Sequence, residues 1–485
     1  MDKPVEIISR AEKRRFMVNI VILGVGKVGC VVSKEITRYL SCYNEPGNYR
    51  LVLVDNAEVK AGDILTQPFI DEDISWNKAA SMKAALTDIY PDISQNIKAF
   101  DIDISEESED KYIEKISKTK SFYNYISDMY VIVDCIGSNQ SSEGIKSFCQ
   151  FLNEKKANNS FIIYPTAEGI DTAVTMMGYS IKEYKPIAES IPDNFSDCVT
   201  LGHMMTEELI QLINDKKMVT EERNLLSLKE YDDNEIVIPD KPKLMVCVGA
   251  GGTGGSFVKE CAKELLLHDN TYLLVIDGDR VEEKNCSRQP FSEEDIQQNK
   301  ASVLVESLIC SYPELNGRMF SFPAYLDDVK DLEDAIKSTG FEKDDIYICL
   351  TGCVDNHRAR QVLLMYYAQN DDVLYVDSGN EFNFGQVVVS VKKGGKQLSP
   401  TVAHYFKEVL TDNSPSVSEL SCGVVNESAP QHQITNLSAA DIILQIYDKL
   451  FEENVVNGGI VYFGVFDHYR SFRAFEMEGV SHARV

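Results

Sequence analysis

The stretch KLMVCVGAGGTGGSFVKECAKELLLHDNTYLLVIDGDRVEEKNCSRQPFSEEDIQQNKA, residues 243–301, decides the fold of this chain. Within it, an apolar run at 244–248 enters a glycine turn, and an amphipathic segment leads to a second apolar run at 272–276, which ends on Asp277. This order predicts a strand, a phosphate-binding turn, a helix and a second strand with an acid at its end. The stretch is therefore the core of a Rossmann-like α/β unit.

The glycine turn consists of Gly249, Gly251, Gly252 and Gly254 in the sequence GAGGTG. Glycine lets the backbone turn tightly and approach a phosphate, while the start of the next helix offers N–H donors and partial positive charge. An acid in the position of Asp277 accepts hydrogen bonds from a ribose in such sites. The turn alone would also suit an NAD-dependent oxidoreductase, so the residues that follow it decide between the two functions.

Five polar residues that suit a triphosphate come after the second apolar run: Asp279, Asn285, Arg288, Gln289 and Lys300. A dinucleotide pyrophosphate is already held by the helix end, whereas a triphosphate carries more charge and needs further cations. We therefore expect Arg288 and Lys300 to bind the β- and γ-phosphates; a surface arginine and lysine in an acidic protein are the alternative. Asn285 and Gln289 would position the phosphates or the loop backbone, and Asp279 would assist the ribose or structure the loop.

The order of these motifs, a glycine loop, then D-G-D-x-V-x-x-x-N-x-x-R-Q, then N-K, resembles the ThiF/ubiquitin-activating enzyme superfamily. Members of this superfamily adenylate the C-terminal carboxylate of a ubiquitin-like or sulfur-carrier protein. The segment LTGCVDNHRARQVL, residues 350–363, resembles the family's metal-binding D-N-x-x-x-R motif and implies that Asp355 holds Mg²⁺. A carboxylate at a strand end suits this hard cation, although an acid at a strand-to-helix junction is also a common helix N-cap.

The first half of the chain carries a fainter copy of the second. Residues 17–40 again show an apolar run, a glycine turn and a helical pattern, and residues 51–80 align with residues 273–302 without a gap, at an offset of 222 (277 − 55). Such a register indicates an internal duplication. We predict an α/β fold with two tandem ThiF-like adenylation domains, residues 1–238 and residues 239–485, that form a pseudo-symmetric pair.

The two copies differ where a nucleotide would bind. The first copy carries other residues at the equivalents of four candidate site residues: Ala57 for Asp279, Asp63 for Asn285, Thr66 for Arg288 and Ser138 for Asp355. We therefore expect the first half to fold similarly but to fail to hold Mg·ATP, and the second half to be catalytic. This arrangement resembles the paired inactive and active adenylation domains of ubiquitin-activating enzymes, here in one polypeptide of a compact bacterial type.

The candidate for covalent chemistry is Cys422, which follows a long segment without clear periodicity, residues 394–421. We predict that this segment is a crossover loop, because loops of that length in compact domains are usually functional. Cys422 precedes a strongly amphipathic helix and is the one cysteine of the second half that we assign to no strand, helix or phosphate-binding segment. The resemblance implies a thioester-forming nucleophile here, with a pKa lowered by the helix N-terminus. A small side chain buried beneath the loop is the alternative.

Two further sets of residues are weaker candidates. Cys198 lies at the repeat-equivalent position of Cys422, at an offset of 224 (422 − 198), and is either a relic or an alternative thiol. Arg10, Arg14 and Arg15 precede the first strand. In relatives, an arginine from the partner's N-terminal segment reaches the active nucleotide site, while a solvated basic helix is the alternative for these three.

Composition excludes several other classes. A chain of 485 residues with 44% hydrophobic residues is globular with two or three domains, and a net charge of −28 argues against nucleic-acid binding. No apolar run approaches the length of a membrane span, and the start lacks the apolar stretch of a secretory signal. Twelve scattered cysteines without a CxxC pair predict reduced thiols, a cytoplasmic location and no structural zinc.

The sequence therefore predicts a ubiquitin-like modifier activating enzyme that uses ATP and Mg²⁺. Its expected partners are a ubiquitin-like protein substrate and a conjugating enzyme, with no nucleic acid and no membrane, and a homo-oligomer is left open. The alternative within adenylation is an adenylyltransferase for a sulfur carrier or peptide that forms no enzyme thioester. An NAD-dependent oxidoreductase and a non-catalytic nucleotide-binding scaffold are the alternatives from other classes.

Overall fold

The computed structural model describes residues 18–43, 48–103, 129–137, 144–145, 159–165, 169–176, 191–215, 223–224, 235–286, 289–412, 433–465 and 469–474. The chain folds into two α/β halves, each built on its own sheet. This architecture confirms the predicted fold class. Within the described residues, no helix has both the length and the apolar character that crossing a membrane would require.

The first half has a sheet with the strand order β3-β2-β1-β4-β5-β6-β7. Its strands are β1 (Val18–Leu23), β2 (Tyr49–Val54), β3 (Ile97–Phe100), β4 (Met129–Asp134), β5 (Asn159–Pro165), β6 (Gly169–Met176) and β7 (Arg223–Asn224). Its longer helices are α1 (Lys27–Tyr43), α2 (Lys78–Ile89) and α3 (Phe195–Asp215). The strands are parallel from β3 to β5, and β6 and β7 are antiparallel to their neighbours.

The second half has the order β11-β10-β9-β12-β13-β14-β17-β18, with β15 beside β14. Its strands are β9 (Lys243–Val248), β10 (Thr271–Ile276), β11 (Met319–Phe322), β12 (Tyr347–Gly352), β13 (Val373–Asn380), β14 (Phe384–Lys393), β15 (Lys396–Gln397), β17 (Gly459–Gly464) and β18 (Tyr469–Ala474). Its longer helices are α4 (Gly252–Leu267), α5 (Lys300–Ser311), α6 (Val329–Ser338), α7 (His357–Gln369) and α8 (Gln433–Glu453). Here too the strands are parallel up to β13.

The chemistry is expected at one edge of the second sheet. The chain runs from β9 to β10 on one side and reaches β12 on the other side, so the strand order reverses between β9 and β12. In open α/β sheets, ligands bind outside the carboxyl ends of the strands at such a switch point. Both strands are buried along their whole length, which explains their nearly continuous apolar sequence.

The two halves share one interior. Val31, Phe195 and Val199 of the first half pack in the same buried cluster as the core of the second half. In return, Ile434 and Leu437 of α8 pack in the core of the first half. The pseudo-symmetric pair is therefore joined by a continuous apolar core, which the helices α1, α3, α4 and α8 build between the sheets.

Helix α8, predicted as an amphipathic helix, is buried at every residue from 433 to 450. Several of its polar side chains pair with the first half. A carboxylate oxygen of Asp441 lies 2.7 Å from Nδ1 of His203, and the side-chain amide of Gln445 donates to the carboxylate of Asp197 at 3.0 Å. Burying polar groups is costly unless they are hydrogen-bonded, so these pairs explain how a helix with polar positions is tolerated in the interior.

Strand β8 (Glu235–Val237) connects the halves in sequence but belongs to the second by its contacts. It pairs with β16 (Val455–Asn457) in a separate two-stranded sheet, and Ile238 packs in the core of the second half. The contacts therefore attach this strand to the half that follows the boundary predicted at 238.

The first part of the predicted crossover loop, up to residue 412, is more ordered than its sequence suggested. It contains β15 and two single helical turns, Val402–Tyr405 and Glu408–Thr411. The amide of Gln361 on α7 donates to the carbonyls of Val409 and Asp412 at 2.9 and 2.8 Å. This part of the segment therefore packs on α7; residues 413–421 lie outside the described residues.

Candidate functional site

The glycine turn after β9 is closed by backbone contacts that only glycine permits. Gly249 has a φ of +96°, and a Cβ at this residue would lie 2.4 Å from the carbonyl oxygen of Cys353. A Cβ on Gly254 would lie 1.8 Å from the carbonyl oxygen of Gly249. Both glycines are thus required to fold the turn against the loop after β12.

The two middle glycines have different surroundings. Gly251, the N-cap of α4, faces open space, and the nearest atom to a Cβ there would be the side-chain amide nitrogen of Gln289 at 3.8 Å. A Cβ on Gly252 would lie 2.2 Å from the amide nitrogen of Asn436 in the first turn of α8. Gly251 therefore leaves room for a ligand at the start of α4, whereas Gly252 leaves room for α8.

Asp277 supports the turn from the end of β10. Its carboxylate accepts hydrogen bonds from the backbone N–H groups of Ala250 at 2.6 Å and of Asp279 at 2.7 Å. Burial raises the pKa of Asp277 above its ordinary value, although Lys300 attracts the ionised form. The first half repeats the same two bonds at Asp55, so this supporting role does not depend on a nucleotide. The predicted ribose contact of Asp277 would use the remaining acceptor capacity of the carboxylate.

A lysine, an aspartate and a tyrosine form a cluster beside Asp277. Lys300, the first residue of α5, forms an ion pair of 2.9 Å with Asp279, and the Tyr325 hydroxyl donates to the other oxygen of Asp279 at 2.5 Å. Burial alone would raise the pKa of Asp279, but Lys300 and Tyr325 together lower it below its ordinary value. The Lys300 side chain is only 8% exposed, so its ammonium group is directed at this edge of the sheet rather than free in solvent.

The cluster is dismantled in the first half. Lys78 holds the position of Lys300, but Ala57 stands where Asp279 would be, and Lys78 pairs instead with Asp63 at 3.0 Å. The carboxylate of Asp63 is also bonded by the amide of Gln67 at 2.7 Å. The lysine of the first half is thus held on the side where the second half has Asn285.

Asn285 and Gln289 line the loop rather than project from it. The side-chain oxygen of Asn285, which is 3% exposed, accepts a hydrogen bond from the backbone N–H of Glu282 at 2.8 Å. The side-chain oxygen of Gln289 is buried and has no hydrogen-bond partner within the described part of the chain. Asn285 therefore structures the loop, and Gln289 keeps an acceptor beside Gly251.

Asp355 lies exposed, three residues after β12 and next to the loop that closes the glycine turn. The helix N-cap is its neighbour Asn356, whose side-chain oxygen accepts from the backbone N–H of Ala359 at 2.9 Å. Within the described residues, the carboxylate of Asp355 accepts a single long hydrogen bond, 3.5 Å, from the Asn356 amide. The capping alternative thus applies to Asn356, and the Asp355 carboxylate fits a hard divalent cation, which binds one or two carboxylates and substrate phosphates.

Arg360 of α7, to which the sequence analysis gave no role, braces this loop. Its guanidinium forms a buried ion pair of 3.1 Å with Asp377 at the end region of β13 and donates to the carbonyl oxygens of Val354 and Ser378 at 2.7 and 2.8 Å. Arg360 is the arginine of the D-N-x-x-x-R motif, which is the signal that could have identified it. It acts on the position of Asp355 through the backbone.

Five sequence-predicted residues lie outside the described residues: Arg10, Arg14, Arg15, Arg288 and Cys422. Their roles stay predictions. Cys422 was predicted as the one cysteine of the second half outside strands, helices and the phosphate-binding segment. Cys353, directly after β12, also lies outside any strand or helix. Cys353 is half-buried beside the glycine turn, where its Cβ would lie 3.0 Å from a Cβ on Gly254.

Cys198 is the fourth residue of α3. Cys422, its predicted repeat equivalent, lies outside the described residues. The thiol is fully buried and donates to the carbonyl oxygen of Pro192 at 3.0 Å, and burial raises its pKa to about 12. A thiol that stays protonated at neutral pH is a poor nucleophile, so burial favours the relic over the alternative thiol for Cys198.

One other group of potential metal ligands lies far from the glycine turn. Glu264, His268 and Asp448 bring one ligand atom each to within 4.8 Å of one another where α4 meets α8. Glu264 is twelve residues from the start of α4, which corresponds to roughly 18 Å along a helix. This group therefore has no part in holding a nucleotide at Gly251.

Residues 6–244 and residues 241–478 each match the model of the ThiF family. Among solved structures, E. coli MccB with ATP is similar at 16% identity and a TM-score of 0.36, over 61% of this chain and 74% of that chain. A selenomethionine form of PaaA is similar at 16% identity and a TM-score of 0.35, over 48% of this chain and 72% of that chain. No curated protein matches the chain.

Proposed function

The chain belongs to the ThiF family, and from this premise we propose that its second half adenylates the C-terminal carboxylate of a ubiquitin-like protein. ATP-dependent adenylation is the chemistry of ThiF-type enzymes. The proposal adds the class of substrate, the residues that act and the later transfer of the activated acyl group to Cys422 and then to a conjugating enzyme.

The observation that carries the proposal is the contrast between Lys300 and Lys78. Lys300 is paired with Asp279 beside an open Gly251, whereas Lys78 is drawn away by Asp63. A triphosphate laid along the start of α4 would meet N–H donors together with a buried cation and a hard-metal ligand, whereas the start of α1 offers the N–H donors without that lysine in place. Such groups stabilise the negative charge that develops on pyrophosphate as its bond to the α-phosphorus breaks.

In the first step, a carboxylate oxygen of the substrate attacks the α-phosphorus of ATP. The bond between the α-phosphorus and the bridging oxygen to the β-phosphate breaks, its electron pair leaves with pyrophosphate, and an acyl-adenylate remains. Lys300 and Arg288 would stabilise the negative charge on the leaving pyrophosphate. Asp355 would hold Mg²⁺, which when bound neutralises phosphate charge.

In the second step, the Cys422 thiolate attacks the acyl carbon of the adenylate. A thioester forms, the bond from the acyl carbon to the phosphate oxygen breaks, and AMP leaves with that electron pair. The thiol proton passes to solvent before the attack, since the thiolate is the nucleophile. The cysteine of a conjugating enzyme would then take the acyl group from Cys422 by thioester exchange.

The test is intact-protein mass spectrometry after the chain is incubated with ATP, Mg²⁺ and a small glycine-terminated protein encoded by a neighbouring reading frame. The proposal expects a thiol-labile adduct equal to the mass of that protein minus one water, absent from Cys422→Ala, which still exchanges pyrophosphate into ATP. Cys353→Ala is the matched control and should keep the adduct. Pyrophosphate exchange without any adduct on the wild-type chain would replace the proposal by adenylation of a peptide or sulfur carrier.

A further inference from the structure

A loop near the nucleotide edge is duplicated with the same backbone in both halves. In each copy a single 3-10 turn, Asp71–Asp73 or Glu293–Asp295, precedes a residue with a φ near +70°, which is Ser75 (72°) or Gln297 (71°). The first-half loop is also fixed by backbone bonds between Val59 and residues 75 and 76, at 2.9 and 2.8 Å. The fold of this loop is therefore the same in the active-type and degenerate copies.

The outward side chains of the two loops are not the same. The first half exposes four large apolar side chains within twelve residues: Leu65 at 41%, Ile70 at 39%, Ile74 at 37% and Trp76 at 63%. The equivalents in the second half, at the offset of 222, are Ser287, Ser292, Ile296 and Gln298. Three of the four positions are thus polar in the second half and apolar in the first, although the turns at 71–75 and 293–297 have the same backbone.

We call Leu65, Ile70, Ile74 and Trp76 the Trp76 surface. Exposing large apolar groups costs solubility and gives nothing to the fold, so a group of them on one loop marks an interaction site. Trp76 is the single tryptophan of the chain and its most exposed large apolar side chain among the described residues. Tryptophan is the residue type most often found at the energetic centre of a protein interface.

Charge indicates what kind of partner fits this surface. Residues 64–77 carry three acids, Asp71, Glu72 and Asp73, and no basic residue. The whole chain has a net charge of −28. A second copy of the chain would bring acids against acids, which is unfavourable. A partner with basic groups around an apolar stripe would form both ion pairs with these acids and apolar contacts with the exposed side chains.

We propose that the Trp76 surface docks a separate protein through an amphipathic segment whose apolar side chains are flanked by lysine or arginine. The degenerate half then has a role beyond supporting its partner half, because it recruits a protein that the nucleotide-binding half cannot bind at its polar counterpart loop. Docking at the Trp76 surface does not require that Cys422 form a thioester.

The single tryptophan makes the test specific to this surface. A synthetic amphipathic helical peptide of leucine and lysine is titrated into the full-length chain while the Trp76 emission is followed. We expect a blue shift and protection from acrylamide quenching, since docking removes the indole from water. Raising NaCl from about 50 mM to about 500 mM should weaken binding several-fold, because surface charges are screened. The same peptide with glutamate in place of lysine should not bind.

Variants separate this surface from the acidity of the whole chain. Leu65→Ser combined with Ile70→Ser should lower the affinity for the peptide at least about tenfold, as expected for the loss of apolar contacts around an interface centre. Ile89→Ser is the matched control, since Ile89 is 57% exposed in the same half but outside the loop, and it should leave binding unchanged. Melting curves identify any variant that fails to fold.

Three results would overturn the proposal. The first is a Trp76 emission that stays unshifted at saturating peptide, and the second is equal binding of the glutamate peptide. The third is a concentration-dependent dimer in sedimentation that Trp76→Ser abolishes, which would assign the surface to a second copy of the chain.

Discussion

Lys34 of α1 and Glu260 of α4 form an ion pair of 2.6 Å that joins the first half to the second. The two side chains are 21% and 15% exposed, so the pair is mostly removed from water. Burial would raise the pKa of Glu260, but the attraction of Lys34 outweighs it and lowers that pKa below its ordinary value. The ionised pair therefore stabilises the contact between the halves.

Replacement of Glu260 by glutamine should destabilise the chain. Lys34 would be left in a mostly buried position, where Glu35 at 3.8 Å is the other acid paired with it among the described residues. Removal of one partner from a buried pair is expensive, and with this second acid at hand we expect a loss of about 2 kcal/mol in the free energy of unfolding, measured by urea titration. Lys34→Met combined with Glu260→Leu should restore most of it, and a double variant no better than the single one would contradict this account.

The same pair predicts a dependence on pH. The pKa of Glu260 is lower in the folded chain than in the unfolded chain, so its stabilisation is fully present above the unfolded value of about 4.3. It is lost as the pH falls through the lowered folded value. Urea titrations of wild type and Glu260→Gln should thus differ equally from pH 5 to pH 7 and converge under more acidic conditions.

Gly251→Ala should weaken the binding of ATP without changing the free energy of unfolding. Its Cβ would meet no atom closer than 3.8 Å, so the fold tolerates it, but the methyl group would occupy the space where a phosphate approaches α4. We expect at least about a tenfold loss of affinity, about 1.4 kcal/mol, in calorimetric titration with Mg·ATP. Gly26, the counterpart in the first half, is equally open, and Gly26→Ala should change neither property. If Gly26→Ala lowered the affinity as much, the nucleotide would belong to the first half.

Lys300→Ala and Lys78→Ala form a second matched pair. Each variant removes one lysine from an ion pair of similar length, 2.9 Å with Asp279 and 3.0 Å with Asp63. Their melting temperatures should therefore fall by similar amounts. Only Lys300→Ala should lose ATP affinity, by about tenfold, because a charge-assisted contact to phosphate disappears. Equal ATP affinities in the two variants would remove Lys300 from the site.

Asp355→Asn should suppress catalysis more than binding. The substitution keeps the size of the side chain but removes the charge that would hold Mg²⁺, and we expect pyrophosphate exchange to fall about a hundredfold. The Mg²⁺ concentration for half-maximal exchange should rise. Asp345→Asn, an exposed acid before the other end of β12, is the control and should behave as wild type. Unchanged exchange in Asp355→Asn would refute the metal assignment.

Gly252→Ala tests the contact between the glycine turn and α8. The added Cβ would lie 2.2 Å from the Asn436 amide nitrogen, so the buried Asn436 side chain, α8 or the turn must shift. Overpacking of this kind costs about 1 to 3 kcal/mol, and ATP affinity should fall with it. Asn436→Ala removes the clashing amide, and thermal unfolding of the double variant should therefore show recovery of stability. Absence of any rescue would mean that the strain is released elsewhere.

The parts of the fold that depend on neighbours in sequence were predictable. The glycine turn, the acid after β10 and the gapless register between residues 51–80 and 273–302 are local patterns, and the structure repeats them with the same hydrogen bonds at Asp55 and Asp277. The duplication also made the two sheets predictable, because a strand order found once applies twice.

Contacts between distant segments could not be predicted. The polar positions of α8 suggested a solvent-facing side, yet Asp441 and Gln445 pair with residues of α3 that are more than 230 positions away. The brace from Arg360 to Asp377 also depends on how α7 lies over β13.

The complete enclosure of α8 has a consequence for the history of this gene. A polypeptide that began at residue 239 would lack the first-half residues that cover one side of α8. Carboxylates without partners and aliphatic side chains of this helix would then face water. If the later copy is the catalytic one, as proposed, natural selection on its activity conserves the earlier copy as well, because α8 needs both. Fusion into one reading frame supplies both copies in equal number from every round of translation.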